Sequence, residues 1–182
     1  VVTGVQTCAL PILDEIQWAD SVFYIKSQGT KIYTFNHEGE FIDVLSKNGR
    51  GPDEYLGINN FHVDDETGNI YINTSGKQRV MVYDQHFNHI RDLMLPVNGV
   101  ITEMYWLNDT IFFFPKGVSV AVEYDWFSMD TSGRILDCKL KACPDEITSF
   151  STNSSLIIFK GKDELYRYYN LDDTIFRISN KG

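Results

Sequence analysis

The sequence predicts an all-β protein assembled from copies of one small antiparallel sheet. Short runs in which apolar and polar residues alternate point to strands. A bias to aromatic and β-branched residues favours them further, with 12 Phe and 10 Tyr in the chain. A pattern returning every forty to fifty residues makes the sheet a repeated unit. The composition, 43% hydrophobic and 14% aromatic, can fill a core, which separates this chain from disordered ones.

The units follow in order. The first is "FYIKSQGTKIYTFNHEGEFIDVL", Phe23 to Leu45, and the second is "IYINTSGKQRVMVYDQHFNHIRDL", Ile70 to Leu93. Tyr24-Ile25 falls on Tyr71-Ile72, Gly29 on Gly76, Phe35-Asn36 on Tyr83-Asp84, and Ile42 on Ile90. In the third unit "TIFFF", Thr110–Phe114, matches the opening strand, and "MDTSGRIL", Met129–Leu136, matches "FNHEGEFI". A fourth begins with "SLIIF", Ser155–Phe159, and continues with "TIFRISNKG", so that Gly182 falls on the hairpin tips Gly39 and Gly133. Only "DELYRYYNL", Asp163–Leu171, leaves helical spacing in doubt. Such a period, with about four short strands per unit, is the signature of a β-propeller. Each four-stranded blade buries its faces by stacking on its neighbours. The chain is expected to hold three to four blades and to stop in mid-repeat, as a fragment. An immunoglobulin-type sandwich would not repeat internally.

The formal net charge of −9 argues against nucleic acid as a partner, because nothing neutralises a phosphate backbone. No apolar run reaches membrane-spanning length. Residues 1–12 are set apart from the partial propeller domain, residues 13–182. From Val2 to Ile12, "VTGVQTCALPI" resembles the translation of a sequencing-library adapter, residue for residue, so the segment is expected to be non-native. With Cys8 set aside, Cys138 and Cys143 remain; two thiols do not make a metal site. They are free, or paired locally in an oxidising compartment.

The corner "NGRGPDEY", Asn48 to Tyr55, lies between an expected outer strand, Glu40–Ser46, and an inner strand of the next blade, Ile58–Val63. Gly49 and Gly51 are expected to supply backbone angles closed to other residues, and Pro52 to fix the turn. Arg50 is expected to tie the loop to Asp53 or Glu54 through its planar fork. Tyr55 would pack its ring between blades and keep its hydroxyl wet. In the functional reading Arg50 faces the channel mouth and grips an anion. Arg50, Asp53, Glu54 and Tyr55 are then the candidate ligand-binding residues.

The stretch "KIYTFNHEGEFIDVLSKNGRGPDEYLGINNFHVDDETGNIYI" resembles six-bladed β-propeller proteins of Bacteroidota that look like NHL-repeat propellers. Their G-R-G-P-x-E-Y corner is present as Gly49 to Tyr55, and "YNLDDTIFRI", Tyr169–Ile178, resembles their "NDTIYRI" segment. The resemblance covers roughly residues 13 to 182 and implies six blades in a full member. It also implies a periplasmic or surface lipoprotein of the cell envelope. It assigns chemistry to no residue.

No catalytic constellation stands out. His86 and His89 would point to opposite faces of a strand and not share a metal. "VDDETGN", Val63–Asn69, lacks the ligand spacing of a calcium loop and reads as a hairpin turn. Ser149, Ser151, Ser154 and Ser155 sit in no nucleophile-elbow context. Trp18, Trp106 and Trp126 read as fillers between blades, with sugar stacking as the other role. Lys116-Gly117 and Lys160-Gly161-Lys162 read as solvated loop charge. The expected function is a non-enzymatic binding or scaffold module that presents loops at a channel mouth to a protein or small ligand, without cofactor or metal. The alternative is a hydrolase or lactonase with a channel metal, for which inner strands offer Asn59, Asn60, Glu103 and Thr148.

Overall fold

The computed structural model describes residues 13–76, 78–96, 101–115, 124–140, 157–160, 164–169 and 174–179. Every regular element among them is a strand. Sheet 1 contains β1 (Leu13–Ala19), β2 (Val22–Ser27), β3 (Lys31–Asn36) and β4 (Phe41–Leu45). Sheet 2 contains β5 (Ile58–Val63), β6 (Ile70–Thr74), β7 (Arg79–Tyr83) and β8 (His89–Met94). Sheet 3 contains β9 (Ile101–Leu107), β10 (Thr110–Pro115), β11 (Tyr124–Asp130) and β12 (Ile135–Leu140). Sheet 4 contains β13 (Ile157–Lys160), β14 (Glu164–Tyr169) and β15 (Thr174–Ser179). Within each sheet the strands lie in chain order, an antiparallel meander.

The stretch of doubtful spacing is therefore a strand. In β14 Leu165 pairs with Ile178 of β15, and both are buried. Short aromatic alternation next to two ladder partners favours a strand over a two-turn helix. The expected fourth unit also shifts. The segment 157–160 takes the place of β1 in its sheet, and β14 takes that of β2.

The chain divides into two compact units, Val1–Lys77 with Met81–Asp92, and Gln78–Val80 with Leu93–Gly182. In the first, one face of sheet 1 (Tyr24, Ile32, Leu45) packs on Phe61, Val63, Ile70, Ile72 and Met81 of sheet 2. Polar groups close this junction. Gln17 of β1 donates from Nε2 to the Phe61 carbonyl (2.5 Å) and accepts from the Val63 N–H (3.0 Å). Lys26, nearly buried, donates to the Asn59 carbonyl (2.5 Å) and pairs with Glu15 (3.4 Å). In the second unit Leu107, Phe112 and Phe114 of sheet 3 share a core with Leu165 and Ile178 of sheet 4.

The hairpins β3–β4, β7–β8 and β11–β12 are closed by one device. Asn36 Oδ1 accepts from the N–H of Glu38 (3.0 Å) and Glu40 (2.8 Å). Asp84 Oδ1 accepts from His86 (2.8 Å) and Asn88 (2.8 Å), and Asp130 Oδ1 from Ser132 (3.0 Å) and Arg134 (3.0 Å). The fourth residue of each turn is left-handed: Gly39 at φ 82°, Phe87 at 61° and Gly133 at 92°. Glycine suits that position, and Phe87 reaches it with its side chain buried.

Candidate functional site

The corner "NGRGPDEY" links β4 to β5 and folds back on itself. The Gly49 N–H donates to the Tyr55 carbonyl (2.9 Å) and the Tyr55 N–H to the Lys47 carbonyl (3.0 Å). The Tyr55 side chain is fully buried. Its hydroxyl donates to the Thr30 carbonyl (3.0 Å), with the Leu45 carbonyl 3.4 Å away, and accepts from the Lys47 N–H (3.3 Å). The expectation of a wet hydroxyl is corrected here, because backbone groups beside the start of β3 and the end of β4 supply the polar partners that water would otherwise provide. Burial pushes the Tyr55 hydroxyl above its ordinary range.

Glu54 turns its carboxylate inward. Oε2 accepts from the Gly51 N–H at 2.7 Å. A Cβ at Gly49 would stand 2.0 Å from that oxygen, and one at Gly51 3.0 Å. Neither glycine has a positive φ. The glycines make room for a carboxylate, which corrects the expectation that they supply unusual angles. Asp53 is held separately: its carboxylate lies 3.2 Å from His89 Nδ1, and its carbonyl accepts from the Tyr83 hydroxyl at 3.1 Å. Lys47 Nζ sits 5.1 Å from the centre of the Tyr83 ring, a cation–π distance. The flanking carboxylates thus engage the Gly51 backbone and His89, and Arg50 is exposed.

The corner is tied to the turns around it. The Ile58 N–H donates to the Gly29 carbonyl (2.6 Å) and the Ser75 N–H to the Gly57 carbonyl (2.9 Å). What results is a hydrogen-bonded loop cluster on which the Arg50 side chain is exposed. The lysine loops 116–117 and 161–162 lie outside the described residues, as do Thr148, Cys143 and the serines at 149, 151, 154 and 155.

The remaining candidates separate by place. His86 lies in the β7–β8 turn, while His89 opens β8 with its Nε2 2.8 Å from Asp92. The run Asp64–Thr67 is a turn: Asp64 accepts from the Glu66 N–H (3.0 Å) and the Thr67 hydroxyl (2.5 Å). Trp106 is buried, Trp126 packs against the core of the second unit, and Trp18 is exposed. Cys138 is exposed. Among the described residues no three His, Cys, Asp or Glu side chains are grouped to hold a metal ion. No helix among them is long and apolar enough to cross a membrane. Sequence reasoning missed a cleft of about 200 Å³ between sheets 1 and 2, lined in part by Asp20, Tyr24, Gln85 and His86. Its only signal would have been three polar turns converging on Tyr24, whose hydroxyl burial and Asp20 push upward.

Repeated four-stranded meanders in chain order define the class: the fold is that of part of a β-propeller, and solved structures agree. A candidate exported protein from Bacteroides fragilis matches with a TM-score of 0.71 at 21% identity, over 100% of this chain and 51% of that one. A streptogramin B lyase matches at 0.60 and 16% identity, over 92% and 51%. The WD40 repeats of RRP9 match at 0.52 and 7% identity, over 88% and 48%. At these identities the likeness is one of fold. The chain spans about half the length of each. Residues 8–182 match the family described as "Domain of unknown function (DUF4934)", and the chain belongs to that family. No curated protein matches it in sequence.

Proposed function

We propose that the chain is a non-enzymatic binding module, part of an exported six-bladed propeller of the cell envelope, which presents the corner end of its sheets to an anionic ligand. The observation that carries this reading is a fixed loop with a free-standing charge. Tyr55, Glu54 and the Gly49–Tyr55 backbone bonds hold the corner, while Arg50 is exposed beside Asp53. A loop ordered before binding loses little entropy on binding. In this reading Arg50 contacts a carboxylate or phosphate through its planar fork. Asp53, engaged with His89, and Glu54 and Tyr55 hold the geometry. Likeness to a candidate exported protein supports the envelope location, and the G-R-G-P-x-E-Y corner supports six blades.

The test is a nuclear magnetic resonance titration of the labelled chain with galacturonate and, separately, inorganic phosphate. The amides of Gly49 to Tyr55 should shift for at least one anion and stop shifting in Arg50→Ala. Absence of any shift, or shifts that persist in Arg50→Ala, would overturn the reading.

A further inference from the structure

The cleft between sheets 1 and 2 lies at the far end of β5 from the corner, where the β1–β2, β5–β6 and β7–β8 turns converge. All of its lining belongs to the first compact unit. Tyr24 lines it, is 5% exposed, and belongs to the core of that unit. Among the described residues no hydrogen bond reaches the Tyr24 hydroxyl. A buried phenol ordinarily finds a partner.

The repeat shows what is missing. Tyr71 stands at the same position in sheet 2, and its hydroxyl bonds to the side chains of Arg91 and Asn69. The matching positions in sheet 1 hold Asp43 and Val22. Valine offers a hydroxyl nothing, and the guanidinium has given way to a carboxylate. Tyr24 pairs with Thr34 and Thr34 with Asp43, so the three stand on the face of sheet 1 that meets sheet 2. The Thr34 hydroxyl is already engaged, by the Asp43 N–H (3.0 Å) and the Asp43 carbonyl (3.1 Å).

The charge of the cleft fits the gap. Its lining carries Asp20 and Asp64 and no lysine or arginine. Asp64 is committed to its own turn. Asp20 is exposed, acts on the Tyr24 hydroxyl, and among the described residues has no hydrogen bond to its carboxylate. Gln85 turns its amide nitrogen to His86 Nε2 (3.4 Å) and its carboxamide oxygen toward Gly68, which also lines the cleft. Acceptors thus border a space of about 200 Å³, room for one small cationic head and less than the pocket of a drug-sized ligand.

We propose that this cleft binds a guanidinium group, which stands to Tyr24 as Arg91 stands to Tyr71. Its planar fork donates to the Tyr24 oxygen and the Asp20 carboxylate, with the Gln85 oxygen at the edge. The site takes the opposite charge to the corner and does not depend on it.

Nuclear magnetic resonance titrations of the full labelled chain test this at constant ionic strength. The probes are N-ethylguanidinium, a capped Gly-Arg-Gly peptide, and tetramethylammonium, a cation without an N–H. The amides of Asp20, Tyr24, Gly68 and Gln85 should shift with the guanidinium probes and stay still with tetramethylammonium. Tighter binding of the peptide assigns the group to a protein side chain, and tighter binding of N-ethylguanidinium to a free small molecule; either supports the site. Asp20→Asn should weaken binding about tenfold or more, and Tyr24→Phe about two- to tenfold. Asparagine tolerates the left-handed backbone of Asp20 (φ 44°), so that turn should survive. Tyr24→Phe removes a hydroxyl that the fold leaves unbonded, so its urea midpoint should match the parent, while Tyr71→Phe should lower it. Absence of shifts would overturn the proposal, as would equal shifts with tetramethylammonium. So would unchanged affinity in both cleft variants, or a urea midpoint lowered by Tyr24→Phe.

Discussion

Tyr55 and Arg50 are five residues apart and should respond to mutation in opposite ways. Tyr55→Phe keeps the ring but leaves the Thr30 carbonyl and the Lys47 N–H without the hydroxyl. Stranding buried backbone groups costs about 1–3 kcal/mol, which urea denaturation should register as a lower midpoint. Arg50→Ala should unfold within about 0.5 kcal/mol of the parent, as surface substitutions do. A large loss there would restore a structural role for the arginine. The burial of the Tyr55 ring was legible in the sequence. The partners of the corner's carboxylates were not. Glu54 could reach an arginine or a backbone N–H, and Asp53 could reach Arg50 or His89. That choice depends on where β8 returns, which no local pattern around residue 50 encodes.

At the scale of the hairpin, Asp130 makes a sharper prediction. Bonds from the Ser132 hydroxyl and the Arg134 N–H, followed by further turn bonds, lower its carboxyl from 3.8 to about 2. A carboxyl lowered on folding adds stability that is fully present above its unfolded value and is lost as pH falls through the folded one. The contribution should therefore hold at pH 5 and disappear between about pH 4 and pH 2. A carbon-detected titration of the Asp130 carboxyl should give a midpoint near 2, and a midpoint near 4 would refute the turn geometry. Asp130→Asn should keep the hairpin at neutral pH and remove this acid loss, because Asn36 closes the first hairpin with the same acceptor. Gly39 and Gly133 announced two of these turns in the sequence. The third was legible through the repeat, which sets Asp84 on Asn36, although nothing in a phenylalanine signals that Phe87 takes the left-handed place of the glycine.

For the whole molecule, the forty- to fifty-residue period carried the architecture, because each copy must bury the same faces in the same way. What the period could not show is which copies keep an open face. Val63 and Trp18 are both apolar at the same repeat position; Val63 is buried in the core with sheet 1, and among the described residues Trp18 is exposed. The adapter-like start leads to a prediction at this scale. Deleting residues 1–12 should leave the melting temperature unchanged in calorimetry; a drop of several degrees would make the segment part of the fold.

Sheets 1 and 2 share no ladder, yet Gln17 sets its carboxamide against the Phe61 carbonyl and the Val63 N–H as a neighbouring peptide group would. One side chain thus forges a backbone link and stitches a seam between two separately woven cloths. A seam of this kind can part without unravelling either piece. In hydrogen exchange, Gln17→Ala should release the Val63 amide early while the amides in the ladders on both sides keep their protection.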